Sequence, residues 1–223
     1  MSILAMDFTR ERNAMVERQL RRRGITEPDI LDAFRAVPRE AFVSADKAHL
    51  AYGDHPLPIE AGQTISQPYV IALMIQAAAI GRSDNVLEVG SGSGYAAAVV
   101  SRIAAHVTGV ERQHELVEVS RERLSRFGFG NIEIVEGDGT RGWRDGAPYD
   151  AILAAACGSH VPESLIEQLA PGGRLVIPLG RPGGAQELVK VTRLEDGVLR
   201  QESLGGVRFV PLIGEDGWND AVS

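Results

Sequence analysis

The feature that most constrains the fold is an alternation of short apolar runs and helical patterns that begins near residue 84. Five runs are predicted as strands, at 85–89, 107–110, 132–135, 149–155 and 174–179, and helices are predicted between them at 95–105, 114–127 and 162–170. Apolar strands separated by helices are typical of parallel sheets that are covered on both faces. The sequence therefore predicts an α/β protein with a doubly wound, mostly parallel sheet.

Two further strands are expected after this region, at 188–194 and 207–212, joined through Glu195-Asp196-Gly197. A connection this short suits an antiparallel pair, because parallel neighbours need a long crossover. We therefore expect an antiparallel edge on the parallel sheet.

The first 60 residues have a helical pattern that becomes irregular. Met15, Val16 and Leu20 have the spacing of residues on one face of a helix. A second helix is predicted from Thr26, where Thr26-x-x-Asp29 resembles a capping box. Its buried stripe is Ile30, Leu31, Phe34 and Val37, and Pro38 ends it. Residues 44–63 carry no periodicity and are interpreted as a loop. The sheet is thus preceded by an N-terminal helical extension.

Composition narrows the class of protein. The 223 residues are 44% hydrophobic, which is enough for a substantial core, and 23 Lys and Arg against 30 Asp and Glu give a net charge of −7. An anionic surface repels nucleic-acid backbones, so we expect no nucleic-acid partner. The single cysteine, Cys157, excludes an internal disulfide and a Cys-based zinc cluster. The five histidines are scattered, and we expect no metal.

No targeting or membrane segment is expected. The apolar run at residues 3–6 is too short for a signal peptide, and no stretch approaches the roughly 20 apolar residues of a membrane span. A single cysteine also suits a reducing compartment. We therefore expect a cytoplasmic location and no membrane partner.

The motif with the clearest chemistry is Glu88-Val89-Gly90-Ser91-Gly92-Ser93-Gly94-Tyr95, in which a strand ends, three glycines follow and a helix begins. Such a loop lies at the carboxyl edge of a parallel sheet, where ligands bind. Its G-x-G-x-G spacing differs from the G-x-G-x-x-G of dinucleotide sites. Glu88 would repel a pyrophosphate but suits a ligand with a free amino group, which favours S-adenosylmethionine over NAD.

Two more acids follow the next two strands. Glu111 ends the second strand, 21 residues after Gly90, and a carboxylate there can accept both ribose hydroxyls. Asp138, within Gly137-Asp138-Gly139, follows the third strand and is predicted to accept from an adenine amino group. The three acids with the glycine loop predict a nucleoside pocket.

Several segments together resemble the protein-L-isoaspartate O-methyltransferase family of class I methyltransferases. They are Val37-Pro38-Arg39-Glu40-Ala41-Phe42-Val43, Gly62-Gln63-Thr64-Ile65-Ser66-Gln67-Pro68-Tyr69, Gly172-Gly173-Arg174-Leu175-Val176-Ile177-Pro178 and Phe209-Val210-Pro211-Leu212. The likeness runs from about residue 15 to residue 212, and its most specific part is the stretch from Gln63 to Tyr69.

The resemblance implies a Rossmann-like class I methyltransferase fold, with residues 1–80 as the helical extension and substrate-site loop and residues 81–223 as the cofactor-binding core of one compact unit. It also implies methyl transfer from S-adenosylmethionine to the free carboxylate of L-isoaspartyl residues in proteins and peptides, which begins repair through a succinimide. Ser66 is the implied catalytic hydroxyl, and Thr64, Ser66 and Val207 are the implied substrate contacts. A carboxylate is already ionised at pH 7, so Ser66 is expected to orient it by a hydrogen bond and not to act as a nucleophile.

The full set of expected cofactor contacts combines the residues predicted from the glycine loop and the acids with those implied by the family resemblance. It consists of Thr64, Ile65, Ser66, Tyr69, Glu88, Gly90, Ser91, Gly92, Gly94, Glu111, Arg112, Gly137, Asp138 and Gly139.

Two alternative functions stay open at this point. A paralogue that methylates an aspartate of a dedicated peptide partner would carry the same motifs. A non-catalytic S-adenosylmethionine-binding adaptor would keep the pocket, although it has no need of the Thr64-Ile65-Ser66 loop. No exposed apolar helix stripe stands out in the sequence, so we expect a monomer.

Overall fold

The computed structural model describes residues 7–219. The apolar run at residues 3–6, interpreted above as too short for a signal peptide, lies outside the described residues, as do residues 220–223. Within the described part of the chain, no helix has both the length and the apolar character needed to cross a membrane.

The N-terminal extension begins with α1 (Thr9–Met15), continues through a π-helical turn (Val16–Leu20) and a 3-10 turn (Arg21–Arg23), and then forms α2 (Pro28–Ala36). The predicted buried faces of both helices are confirmed: Met15, Val16, Leu20, Ile30, Leu31, Phe34 and Val37 are all buried. The predicted capping box is wrong. Helix α2 begins two residues later, with Glu27 as N-cap and Pro28 in its first turn, and the backbone N–H of Thr26 donates to Gln76 Oε1 at 3.1 Å.

The region predicted as a loop contains local structure that ends just before Ser66. A short 3-10 turn at Arg39–Phe42 precedes this region, and two more lie at Ala45–Leu50 and Glu60–Gly62. Between these two is a two-residue strand, β1 (Leu57–Pro58), which pairs antiparallel with β2 (Thr64–Ile65). Helix α3 (Pro68–Ala78) follows, with Pro68 in its first turn. This helix is apolar on nearly every side because it contacts both the extension and the sheet, so the sequence lacks the amphipathic pattern that would have predicted it.

The sheet has seven strands: β3 (Asn85–Val89), β4 (His106–Glu111), β5 (Ile132–Glu136), β6 (Tyr149–Ala154), β7 (Leu169–Gly180), β8 (Gln186–Arg193) and β9 (Leu199–Val207). Their order is β5-β4-β3-β6-β7-β8-β9. The five strands from β5 to β7 pair in parallel, and β7, β8 and β9 pair antiparallel. The predicted mostly parallel sheet with an antiparallel edge is therefore confirmed.

Helices connect the parallel strands, namely α4 (Tyr95–Ser101), α5 (His114–Arg126) and α6 (Glu163–Glu167). Neighbouring residues of β3 enter different cores, Val86 on one face of the sheet and Leu87 on the other. The core that contains Val86 also contains Phe34 and Ile75, so the N-terminal extension and α3 pack on this face. Both faces are covered, as a doubly wound sheet requires.

The last predicted strand, 207–212, is wrong. The edge strand β9 occupies residues 199–207, most of which are exposed, so it has no apolar pattern to reveal it. Residues 209–212 instead cross the carboxyl edge of the sheet: the backbone N–H of Cys157 donates to Val210 O at 2.7 Å, and that of Leu212 donates to Cys157 O at 2.8 Å. The apolar character of residues 209–212 reflects packing over this edge.

Candidate active site

A cavity of about 540 Å³ opens at the carboxyl edge of the sheet, where the chain leaves β3 and β4. This is the point at which the strand order reverses direction, between β3 and β6, and such a crevice is the usual ligand site of an open α/β sheet. Most of the lining comes from four segments, namely residues 61–66, residues 88–93 with 95 and 96, residues 110–113 and residues 209–213. The glycine loop and the loop that bears Ser66, which are far apart in the sequence, thus share one cavity.

The glycine loop adopts a backbone that only glycine tolerates easily. Gly90, Gly92 and Gly94 have φ angles of 80°, 52° and 83°, in the left-handed region. A Cβ on Gly94 would lie 3.2 Å from the Cβ of Ser120 on α5, so this residue packs against the helix and does not line the cavity. Gly90 and Gly92 do line it, and their bare backbone allows a ligand to approach closely.

Glu111, at the end of β4, fixes the glycine loop from the neighbouring strand. Its Oε2 accepts from the backbone N–H of Gly92 at 3.0 Å, and its Oε1 accepts from that of Gln113 at 2.9 Å. The side chain is buried and lines the cavity together with Arg112. Each carboxylate oxygen can accept a second hydrogen bond, so both remain able to bind the hydroxyls of a ligand.

Glu88, on β3, is the most unusual group in the cavity. Its side chain is 2% exposed, and its Oε2 has no hydrogen-bond partner among the described residues. Burial, and after it the negative charge of Glu111, raises the pKa of Glu88 to about 8. An unsatisfied buried carboxyl oxygen is costly, and a ligand that brings an N–H donor or an ammonium group would satisfy it. The site therefore fits a nucleoside ligand that carries a free amino group.

The Ser66 loop contributes a mixture of polar and apolar groups. Thr64, Ile65 and Ser66 all line the cavity, with Ile65 buried, Ser66 half-buried and Thr64 exposed. The β1–β2 pair holds the start of the loop, since the backbone N–H of Ile59 donates to Gln63 O at 2.8 Å. Ser66 thus presents a neutral hydroxyl to the same cavity that the glycine loop and Glu111 border.

Asp138 lies outside this cavity and is hydrogen-bonded within the protein. Its Oδ1 accepts from the backbone N–H of Thr140 at 2.9 Å and from the Thr140 hydroxyl at 2.7 Å, and its Oδ2 accepts from the backbone N–H of Glu215 at 2.8 Å. Asp138 therefore binds the C-terminal segment, residues 213–218, to the end of β5. Its contact with adenine stays a prediction, and Gly139 is the member of this turn that lines the cavity.

Three other expected contacts also lie away from the cavity lining. Tyr69 is on α3, with the guanidinium of Arg23 3.5 Å from its ring centroid. Val207 ends β9 and packs against the core, and Gly137 lines a second, shallower cavity with Trp143. The roles assigned to Tyr69, Val207 and Gly137 stay predictions.

Sequence reasoning missed several parts of the cavity wall, of which residues 209–213 and Tyr95 are the most informative. Residues 209–213 line it, and their motif was recognised but assigned to a strand. Tyr95 also lines it, and its ring is packed edge-on by Phe34 and Phe42 from the extension. The sequence did contain a signal for Tyr95, since it is an aromatic residue directly after the last glycine of the loop.

The histidines and the cysteine of the described region lie away from any metal-like arrangement. Among residues 7–219, no group of three or more His, Cys, Asp or Glu side chains is placed to hold a metal ion. His160 is exposed and pairs with Ser159 at 2.9 Å. Cys157 is buried, and the indole N–H of Trp218 donates to its backbone carbonyl at 3.0 Å.

The fold and the cavity define a Rossmann-like class I methyltransferase, with a glycine loop after the first parallel strand and an acid at the end of the next. A profile of the protein-L-isoaspartate(D-aspartate) O-methyltransferase family matches residues 10–217. The chain belongs to this family.

Individual relatives agree with the family match. The chain is 54% identical to the protein-L-isoaspartate O-methyltransferase of Rhodopseudomonas palustris, over 92% of this chain and 94% of the relative, and 54% identical to protein-L-isoaspartate O-methyltransferase 2 of Pelobacter propionicus, over 93% and 92%. A solved protein-L-isoaspartate O-methyltransferase structure superposes with a TM-score of 0.85 at 30% identity, covering 92% of this chain and 67% of the other. A Plasmodium falciparum structure described as a putative member, in complex with S-adenosyl-L-homocysteine, superposes with a TM-score of 0.78 at 27% identity, covering 91% and 98%.

Proposed function

We propose that this protein transfers the methyl group of S-adenosylmethionine to the free carboxylate of L-isoaspartyl residues in damaged proteins and peptides. The observation that carries the proposal is the union of the glycine loop and the Ser66 loop in one cavity of a chain that matches the family from residue 10 to residue 217. The transfer leaves S-adenosylhomocysteine as the cofactor product. The following backbone nitrogen then displaces methanol from the methyl ester to form a succinimide, whose hydrolysis returns part of the damaged site to normal aspartate.

S-adenosylmethionine fits the cavity by the chemistry of the residues around it. Glu88 offers an unpaired buried carboxyl to the amino group, and Glu111 offers carboxylate oxygens to the ribose hydroxyls. Gly90 and Gly92 allow close approach of the ligand to the backbone. When bound, this cofactor supplies an electrophilic methyl group on a sulfonium ion.

Ser66 acts in this proposal as the group that orients the substrate carboxylate. The reacting carboxylate is ionised at neutral pH, so the protein has to align it and does not need to remove a proton. A neutral hydroxyl donates a hydrogen bond to one carboxylate oxygen and leaves the other free to attack the methyl carbon. Apolar lining residues, among them Ile65, Phe209 and Leu212, exclude water that would compete for the methyl group.

The proposal extends to organisation and location. Residues 1–80 shape the substrate side, residues 81–223 bind the cofactor, and the protein acts as a cytoplasmic monomer with isoaspartyl proteins and peptides as its partners. The supporting observations are Ser66 in the first segment, the glycine loop in the second, and a single cysteine, which suits a reducing compartment.

The test is methyl transfer from labelled S-adenosylmethionine to two synthetic peptides that differ only in L-isoaspartate against aspartate. We expect label on the isoaspartyl peptide alone, and its loss at neutral pH as the ester collapses. Equal labelling of both peptides, or no labelling although the protein binds S-adenosylhomocysteine, would contradict the proposal and favour peptide tailoring or an adaptor.

A further inference from the structure

An exposed network of polar side chains joins the N-terminal extension to the Ser66 loop, outside the cavity. Its centre is Asp54, in the segment between two 3-10 turns of the extension. Both Asp54 and Arg23 are about half-exposed, at 45% and 40% of their side-chain surface. Asp54 and Arg23 do not line the cavity, and neither is among the cofactor or substrate contacts assigned above.

The contacts of Asp54 reach two separate parts of the chain. Its Oδ1 accepts from Gln67 Nε2 at 2.7 Å, and its backbone carbonyl accepts from the same nitrogen at 3.1 Å. Its Oδ2 accepts from Arg23 Nη1 at 3.1 Å. The guanidinium of Arg23 in turn lies 3.5 Å from the ring centroid of Tyr69. Asp54 therefore holds Gln67 directly and holds Tyr69 through Arg23.

Gln67 follows Ser66 directly in the chain, and Tyr69 lies three residues after it. The residue before Ser66 is fixed by the β1–β2 pair, which ends at Ile65. On the other side, Gln67 is the N-cap of α3, and its backbone torsions (φ −52°, ψ 134°) turn the chain out of the helix toward Ser66. The side chain of Gln67 has no role in capping the helix, and its amide is directed to Asp54 instead. Ser66 thus lies between two restrained residues, Ile65 and Gln67.

We infer that Asp54 is a positioning residue for the methyl-transfer reaction. It fixes Ser66 by accepting hydrogen bonds from the Gln67 side chain and by holding the Arg23 guanidinium over the Tyr69 ring. The inference rests on the proposed function, because it assumes that Ser66 orients the substrate carboxylate. Exposed ion pairs contribute little to folding stability, so loss of Asp54 leaves the protein folded. Misplacing an orienting group by about 1 Å can cost up to roughly 10²-fold in rate, so the same loss slows the reaction.

The experiment compares steady-state methylation of an isoaspartyl peptide by wild type, Asp54→Ala and Asp54→Asn, with S-adenosylhomocysteine affinity and melting temperature measured for each. Asp46→Ala serves as the matched control, because Asp46 is another exposed acid of the extension, paired with Lys47 and outside the network. We expect Asp54→Ala to lower kcat/KM for the peptide about tenfold and to change S-adenosylhomocysteine affinity less than twofold. Asp54→Asn keeps an acceptor for Gln67 and should restore most of the activity, while Asp46→Ala should match wild type.

A double-mutant cycle separates positioning from a general surface effect. If Asp54 acts in part through Gln67, then Asp54→Ala causes a smaller loss in the Gln67→Ala background than in wild type, because one of its two contacts is already absent. Additive losses, wild-type kinetics in Asp54→Ala, or an equal fall in S-adenosylhomocysteine affinity would each overturn the inference. A wild-type protein that does not methylate the isoaspartyl peptide would overturn the proposed function and this inference with it.

Discussion

Glu88 and Glu111 line the same cavity from neighbouring parallel strands, but only Glu111 has a hydrogen-bond donor on each carboxylate oxygen. Glu88 keeps an oxygen without a partner among the described residues, and its pKa is raised to about 8 by burial and by the charge of Glu111. Glu111 is therefore part of the structure of the glycine loop. Glu88, in contrast, is a group whose negative charge becomes favourable only when a ligand supplies a hydrogen-bond donor.

The raised pKa of Glu88 predicts how stability depends on pH. The pKa is 4.5 for an ordinary glutamate and about 8 in the folded protein, so the folded state binds this proton more tightly than the unfolded chain does. The stability linked to the proton is fully present below pH 4.5 and is lost as pH rises through 8. We expect Glu88→Gln to remove this slope, making the variant about 2–4 kcal/mol more stable relative to wild type at pH 9 than at pH 4.

Urea unfolding of the ligand-free protein between pH 4 and pH 9 measures this slope. Glu60→Gln is the control, because Glu60 is paired with Arg123, which lowers its pKa, and its substitution should not flatten the decline toward pH 9. Parallel curves for wild type and Glu88→Gln would contradict the raised pKa.

Glu111 is predicted to contribute to cofactor binding through both its free acceptor positions and its hold on Gly92. Glu111→Ala removes the acceptor and releases the glycine loop, so we expect S-adenosylhomocysteine binding to weaken by about 1–3 kcal/mol, the range for hydrogen bonds to charged groups. Calorimetric titration measures the change. Glu111→Gln keeps one acceptor oxygen and should lose less, and equal affinity in wild type and Glu111→Ala would disprove the ribose assignment.

Ser66 is predicted to affect turnover far more than cofactor affinity. Ser66→Ala removes the hydroxyl proposed to orient the carboxylate, and we expect kcat for an isoaspartyl peptide to fall about 10- to 100-fold, with a much smaller change in S-adenosylhomocysteine affinity. Ser66→Thr retains a hydroxyl and should lose less. Initial rates with labelled cofactor give the comparison, and an unchanged rate in Ser66→Ala would remove this role from Ser66.

The packing of the C-terminal segment is predicted to require a glycine at position 214. A Cβ there would lie 2.1 Å from Asp138 Oδ1 and 2.7 Å from Thr140 Cγ2, and both residues hydrogen-bond to the segment. We expect Gly214→Ala to destabilise the protein by about 1–3 kcal/mol. Because Ile213 lines the cavity, cofactor affinity should fall as well.

Thermal unfolding with Gly130→Ala as the matched control tests this. A Cβ on Gly130 would meet nothing within 4 Å, so its substitution should be neutral or slightly stabilising. A Gly214→Ala variant that melts with wild type would show that the segment does not pack against Asp138 as described.

Most of the sheet and half of the cavity could be predicted from the sequence, because these parts depend on local patterns. The parallel strands are apolar runs buried on both faces, and the glycine loop has a spacing that fixes its backbone. Glu88, Glu111 and Ser66 were assigned to one site, and the fold brings all three to one cavity.

The parts that failed depend on tertiary contacts that leave no periodic signal. Strand β9 is a mostly exposed edge, and residues 209–212 are apolar because they cover the carboxyl edge of the sheet. Thr26 has a capping residue's identity, but its backbone N–H is satisfied by Gln76, fifty residues away. Asp138, whose adenine contact stays a prediction, accepts from the nearby Thr140 and also from Glu215, 77 residues away, and no local motif indicates the second contact.

The position of Cys157 gives this protein a built-in chemical reporter. It is the sole thiol in the chain, it is buried, and burial raises its pKa. Its backbone hydrogen-bonds to Val210 and Leu212, and its carbonyl also accepts from the Trp218 indole, so the segment bound to Cys157 is the one that completes the cavity wall. The rate at which an added thiol reagent labels Cys157 therefore measures how often that wall opens, without any engineered probe, and ligands that close the cavity should slow it.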